Sequence, residues 1–172
     1  MMEKGIVAIA SDHGGYEQKK QLVAWMLKNN ISIHDLGPYS DQTVDYPDYA
    51  ALVAHEVSSG LADKGVLVCG TGIGMAMTAN KFPGIRAASV TNEQFAELAR
   101  SHNDANIITL SGRFVSIDTN KGILSVFFKT AFEGGRHCGR LDKITEVEQT
   151  VRESSYVRAE GALPKLERKA VV

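Results

Sequence analysis

The sequence predicts an α/β fold in which a five-stranded parallel sheet is covered by helices on both faces. Three observations lead there. Five short apolar runs alternate with segments of helical periodicity. Several of those runs are apolar at every position, as strands buried on both faces are. Most of them break into turns carrying glycine, which separate strand from helix.

Ile6-Val7-Ala8-Ile9-Ala10 is the first strand. It breaks at Ser11-Asp12-His13-Gly14-Gly15, after which Leu22, Val23, Met26 and Leu27 mark a helical face. Ile31-Ser32-Ile33-His34 is a shorter strand ending at Asp35-Leu36-Gly37-Pro38. Asp45-Tyr46-Pro47 opens a second helix with proline in its first turn; Tyr49, Val53 and Val57 share a face, and Gly60 closes it. Gly65-Val66-Leu67-Val68-Cys69 is the central strand, followed by Gly70-Thr71-Gly72-Ile73-Gly74 and a short helix. Lys81 to Ile85 turns the chain into a strand over Arg86 to Val90. Thr91 and Gln94 have capping-box spacing, and Phe95, Leu98 and Ala99 predict an inner helical stripe that reaches His102. Ile107-Ile108-Thr109-Leu110 is the fifth strand, followed by Ser111-Gly112-Arg113 and a helix carrying Ile117, Leu124, Phe127, Phe128 and Ala131. The run Glu133 to Arg140 is too rich in glycine for a regular helix; Ile144, Val147 and Val151 suggest a last one. We expect one domain over 1–153 and a polar, weakly ordered tail over 154–172.

With 172 residues, 44% of them hydrophobic, the chain suffices for one core of ordinary size. A net charge of -1 with dispersed Lys and Arg argues against nucleic acid or a membrane surface as partner. No apolar run approaches bilayer-spanning length. Two cysteines, Cys69 and Cys138, without a cationic and apolar leader, point to a reducing compartment, hence the cytoplasm.

Right-handed crossovers place every strand-to-helix turn at one edge of the sheet, so Asp12, His13, Cys69, Thr71 and Arg113 converge there although far apart in sequence. Cys69 is the distinctive residue. A thiol at a strand end, facing a loop rich in free amides, is placed to act as nucleophile, general base or metal ligand. The plainer alternative is a small buried residue before a tight turn. Gly70, Gly72 and Gly74 lack dinucleotide-fingerprint spacing, and no Walker-type lysine follows, so a cofactor loop is disfavoured. The loop suits a phosphate or, given the adjoining thiol, an enediolate oxygen. Asp12-His13 reads equally as an active-site pair or as a polar turn capping a helix. His102 falls on an apolar helix face, where a core histidine is the commoner case and a titrating group the alternative. Arg136 and Arg140 flank His137 among glycines, a pattern that favours a phosphate clamp over a solvated helix face. His13, His102, His137 and the cysteines show no paired short spacing of the kind metal sites use, and His34 and His55 read as structural or surface residues.

Ser11-Asp12-His13-Gly14-Gly15, Asp45-Tyr46-Pro47, Cys69-Gly70-Thr71-Gly72-Ile73-Gly74, Ala79-Asn80-Lys81, His102-Asn103-Asp104 and Glu133-Gly134-Gly135-Arg136-His137 together resemble the B-type ribose-5-phosphate isomerases, which belong with the galactose-6-phosphate isomerase subunits. The likeness runs in order from about Ile6 to Glu148. It implies a Rossmann-like three-layer α/β/α sandwich, a homodimer or dimer of dimers with pockets shared between subunits, and interconversion of ribose 5-phosphate with ribulose 5-phosphate without metal or cofactor. By position, the resemblance makes Cys69 the proton-transfer base and His102 the group assisting ring opening. Asp12, His13 and Asn103 become sugar contacts, Tyr46 a pocket wall, and Gly70, Thr71, Gly72, Ile73 and Gly74 the loop whose amides hold the enediolate. Arg113, Arg136 and Arg140 become phosphate contacts, with His13 or His137 assisting. Another branch of the family uses a glutamate later in the loop in place of the cysteine; here that position is Met75. The sharing of pockets would let the segment from His102 to Arg113 lie away from Cys69 within one chain. Rival readings are an isomerase of allose 6-phosphate or galactose 6-phosphate and a phosphate-binding module without turnover. A cysteine phosphatase is weaker still, since no Cys-x5-Arg loop is present.

Overall fold

The structure is a computed structural model that describes residues 5–159. The chain divides into two compact units, one ending at Gly134 and one beginning at Gly135.

The first unit is the expected parallel sheet. Its strands are β1 (Ile6–Ser11), β2 (Ser32–Asp35), β3 (Lys64–Cys69), β4 (Ala87–Ser89) and β5 (Ile107–Ser111), hydrogen-bonded in the order β2-β1-β3-β5-β4. Every pairing is parallel, with Ser11 opposite Val68 and Cys69 opposite Ser111. The strand order reverses between β1 and β3, and ligands of open α/β sheets bind at such a crevice. Asp12 follows β1 directly and Cys69 ends β3, so both stand at its mouth.

The helices are α1 (Tyr16–Lys28), α2 (Tyr46–Ser58), α3 (Ile73–Ala79), α4 (Glu93–Ser101) and α5 (Ile117–Lys129). Leu22 and Met26 of α1, Ala96 and Ala99 of α4, and Ile123, Leu124 and Phe127 of α5 join one buried cluster with Val7, Ile9, Val66, Val68, Ile108 and Leu110. The opposite face packs Ala50, Val53 and Ala54 of α2 and Met75 and Ala79 of α3 against Ala8, Ala10, Leu67 and Ile107. Side chains alternate across the strands, so consecutive apolar residues feed two cores at once, which is why these runs are apolar throughout. Three layers result.

Two local expectations are corrected. The cap of α4 is Asn92, whose side chain accepts from the Phe95 amide at 2.9 Å, in place of Thr91. The inner face of α4 is Ala96, Ala99 and Arg100, while Phe95 and Leu98 are 53% and 37% exposed. Small side chains bring a helix close to its neighbours, and the larger apolar residues are left on the outside. Elsewhere the punctuation holds: Gly60, just beyond α2, has φ of 77°.

Close approach demands glycine at Gly15. A Cβ there would collide with the Val68 carbonyl, so the turn after β1 lies directly against β3. Lys19 of α1, 2% exposed, donates to Asp35 Oδ1 and Oδ2 at 2.6 and 2.9 Å and to the Pro38 carbonyl at 3.0 Å. A charge this deep is tolerated because it is paired and bonded at once. It ties the loop after β2 to the same sheet edge.

The second unit opens with a single 3-10 turn over Gly135–His137 and continues into α6 (Cys138–Ala159), so the expectation of no regular helix from Glu133 to Arg140 is corrected over Cys138, Gly139 and Arg140, which already belong to α6 despite the glycine. Ile144, Val147 and Val151 of α6 are all more than half exposed. The expected boundary at 153 falls inside this helix. The rest of the expected tail, 160–172, lies outside the described residues.

Candidate active site

Cys69 is 5% exposed, and its Sγ accepts from the Gly72 amide at 3.0 Å. The bond is possible because Gly72 takes a left-handed conformation, φ 83°, which folds the loop back over the strand end. The Ile73 amide is also engaged inside the loop, donating to Thr71 Oγ1 at 3.3 Å. Thr71 and Ile73 are exposed. On the far side of the loop, a Cβ on Gly74 would lie 2.7 Å from the Tyr46 ring, so Tyr46 packs beside the start of α3.

From the neighbouring strands come Asp12 and Arg113. Asp12, 8% exposed, accepts from the Gly15 amide at 2.9 Å through Oδ1, and its own amide donates to the Val68 carbonyl at 3.1 Å. The polar-turn reading of Asp12 is met in part: its carboxylate braces the turn before α1, whose N-cap is Gly15. Its carboxylate oxygen would lie 3.2 Å from a Cβ on Gly14, and Arg113 Nη2 only 3.4 Å from that same point. A Cβ on Gly70 would lie 3.5 Å from Arg113 Cδ. Carboxylate, guanidinium and Gly70 thus surround one spot. The segment from His102 to Arg113 does not, as a whole, face away from Cys69: its last residue, on the turn after β5, packs against Gly70 of the same chain.

The backbone explains the placement. The Gly112 amide donates to the Cys69 carbonyl at 2.7 Å, the Arg113 amide to the Gly70 carbonyl at 3.3 Å, and Ser111 Oγ to that same carbonyl at 2.8 Å. His13 is exposed, and its Nδ1 lies 3.1 Å from the Val44 carbonyl. A cavity of about 380 Å³ opens nearby, lined by Leu36, Pro38, Tyr39, Val44 and Tyr49 among others.

His102 is elsewhere. It caps the C-terminus of α4, its Nε2 is 3.9 Å from Glu133 Oε2, and the chain then enters β5 at Ile107. Cys69 is level with Ser111, at the other end of β5. The rise of the strand alone, about 3.3 Å per residue, separates the two levels by about 13 Å. Within one chain, His102 and Cys69 stand at opposite edges of the sheet.

Sequence reasoning missed what holds the His102-Asn103-Asp104 turn. Asp104, at φ 44°, accepts from Arg86 at 2.6 Å and from Arg100 at 2.8 Å; Arg86 Nε also donates to the carbonyls of Asn103 and Asp104. Arg100 is 8% exposed and bonds the Ala105 carbonyl at 2.7 Å. The i,i+4 spacing of Arg100 and Asp104 was the available signal. Asn103 itself is exposed. In the second unit, Arg136 Nε donates to His137 Nε2 at 3.4 Å, and the exposed Arg136 and Arg140 are four residues apart where the 3-10 turn meets α6.

Residues 7–144 match the model of a family described as Ribose/Galactose Isomerase. The chain belongs to the ribose/galactose isomerase family. Among its relatives, ribose-5-phosphate isomerase B of Escherichia coli is 39% identical over 83% of this chain and 96% of its own length. A putative sugar phosphate isomerase of Rickettsia bellii is 46% identical over 80% of this chain and 96% of its own. Among solved structures, ribose-5-phosphate isomerase B of Mycoplasma genitalium with bound ribulose-5-phosphate superposes with a TM-score of 0.81 at 45% identity, covering 84% of this chain and 96% of that one. The Clostridium thermocellum enzyme superposes with a TM-score of 0.84 at 43% identity, over 85% and 99%. The family's fold is the sandwich described above, and the matched span includes Asp12, Cys69, His102, Arg113, Arg136 and Arg140.

Proposed function

We propose that this chain interconverts ribose 5-phosphate and ribulose 5-phosphate through an enediolate. The observation that carries the reading is the Cys69 sulfur, held by an amide at the β1/β3 crevice with Asp12 and Arg113 beside it. Aldose-ketose isomerisation opens the ring, removes a proton next to a carbonyl, holds charge on an enediolate oxygen and returns the proton one carbon away. Cys69 moves the proton and His102 assists ring opening. Asp12, His13 and Asn103 hold the sugar hydroxyls. The loop amides face the enediolate; those of Gly70, Thr71 and Gly74 are better placed for it than those of Gly72 and Ile73, which have partners within the loop.

With His102 assigned to the pocket of Cys69, its position calls for a second copy of the chain. A pocket that contains both Cys69 and His102 is built from two subunits, which supports a homodimer or a dimer of dimers. Phe95, Leu98 and His102 lie at i, i+3 and i+7, so the exposed apolar face of α4 leads to His102 and suits contact with that copy. The two cysteines are unpaired, which suits the reducing cytoplasm. No helix among the described residues is long and apolar enough to cross a membrane.

Arg113, Arg136 and Arg140 bind the phosphate, with His13 or His137 assisting. Replacing Arg136 or Arg140 with Ala is expected to weaken substrate binding by about 1.5 to 3 kcal/mol, the scale of a lost charged hydrogen bond. An unchanged KM for the phosphorylated sugar would count against this assignment.

The family description spans ribose and galactose isomerases, which gives a six-carbon sugar phosphate standing as the second reading. One assay decides. Ribulose 5-phosphate formation from ribose 5-phosphate is expected with chelator present, run beside allose 6-phosphate and galactose 6-phosphate. Turnover of a six-carbon substrate alone would overturn the preference, and turnover of none would leave a binding module.

A further inference from the structure

We propose that Gln18 and Asn120 are positioning residues for Arg113, and that the affinity for the phosphate end of the substrate depends on them. The inference rests on Arg113 being a phosphate ligand. Arg113 is exposed and sits on a turn between β5 and α5, where nothing in the local sequence fixes a long side chain. The turn is held from outside. Gln18, on α1, donates through Nε2 to the carbonyls of Gly112, at 3.1 Å, and Val115, at 2.7 Å. Those two carbonyls bracket Arg113. The other end of the same amide, Gln18 Oε1, accepts from Asn120 Nδ2 at 2.7 Å.

Asn120 is fully buried, and its Nδ2 also donates to the Ser111 carbonyl at 3.0 Å. Ser111 completes the circuit: its Oγ donates to the Gly70 carbonyl at 2.8 Å and accepts from the Phe114 amide at 3.0 Å. A continuous chain of hydrogen bonds thus runs from α1 through the Arg113 turn to the loop after Cys69. Its central member is a buried amide, and a buried amide is costly to keep unless its geometry is used. If it served only to tie α1 to α5, an apolar contact would do so at lower cost. What the polar network adds is direction. It fixes the carbonyls of Gly112 and Val115 on either side of Arg113 and the carbonyl of Gly70, the residue whose Cα face the Arg113 side chain approaches.

The test is a double-mutant cycle on the full chain, read as KM and kcat for ribose 5-phosphate. Gln18→Met keeps the side chain's length and removes its hydrogen bonds. It is expected to raise KM about fivefold, the scale of one lost hydrogen bond, with kcat within about twofold of the parent. Arg113→Ala is expected to raise KM roughly 10- to 100-fold, as loss of a charged contact does. The combined variant is expected to match Arg113→Ala alone, because Gln18 then has no guanidinium to aim. A Gln18→Met effect that survives in the Arg113→Ala background, or no Gln18→Met effect on KM, overturns the positioning role and leaves Arg113 a phosphate ligand. An unchanged KM in Arg113→Ala overturns the ligand assignment and the inference together. Should Gln18→Met fail to fold, Gln18→Ala, which removes the same hydrogen bonds without adding charge and lets water reach the carbonyls left behind, replaces it in the same cycle with the same outcomes.

Discussion

Replacing Cys69 with Ala is expected to lower kcat by roughly 10²- to 10⁴-fold, the usual contribution of a positioned general base, while KM for ribose 5-phosphate changes little. The split between the two constants follows from the geometry. The sulfur ends β3 and lies under the Gly72 amide, whereas the proposed phosphate contacts are side chains other than Cys69. On the proposed assignment, removing Sγ takes away the proton-transfer base and leaves the phosphate contacts in place. No neighbour is available as a substitute base in the loop, since the position where another branch of the family carries a glutamate is here the fully buried Met75. The side chain is nearly buried, so the variant is compared with the parent by circular dichroism at the assay temperature, which separates lost chemistry from lost fold. Turnover within tenfold of the parent would remove Cys69 from the proton-transfer role.

How far the sequence led is best seen residue by residue. The sheet was legible because parallel strands buried on both faces are written as unbroken apolar runs, and Val66, Leu67 and Val68 are each fully buried, on alternating faces. The meeting of Asp12, Cys69 and Arg113 was legible as well, since crossover handedness brings strand ends to one edge whatever their separation in sequence. The face of α4 was misjudged for a physical reason. Pattern reading assumes that the largest apolar side chains turn inward, but this helix is seated by Ala96 and Ala99, and Phe95 and Leu98 point out. Such a reversal leaves apolar side chains on the surface, and a single sequence does not reveal it. The Gln18, Asn120 and Ser111 network was invisible for a different reason. Its partners are 94 to 102 residues apart for Gln18, and a glutamine on a helix carries no signal of being anything other than solvated. The Arg86, Arg100 and Asp104 cluster sits between: one of its pairs has helical spacing, and the other joins residues 18 apart.

Coexpressing two inactive variants, Cys69→Ala and His102→Ala, is expected to restore activity. In the described chain His102 stands at the edge where β5 begins and Cys69 at the edge where β3 ends, about 13 Å apart along the strand direction alone. A side chain does not bridge that span through a packed sheet, so a pocket using both takes one from each of two chains. A mixed dimer then contains one pocket with both replacements and one with neither. Random pairing at equal expression makes half of the dimers mixed, each with one intact site of two, so about a quarter of the parent's activity is expected to return. Distinguishable tags on the two chains allow the mixed species to be isolated, where the expected value rises to about half. The arithmetic is what makes the experiment decisive. If both residues served the pocket of their own chain, every site in every pairing would carry one replacement, and the mixture would show no more activity than the average of the two separate variants. That result would detach His102 from the Cys69 pocket, and ring opening would need another group, with His13, the residue directly after Asp12, the next candidate.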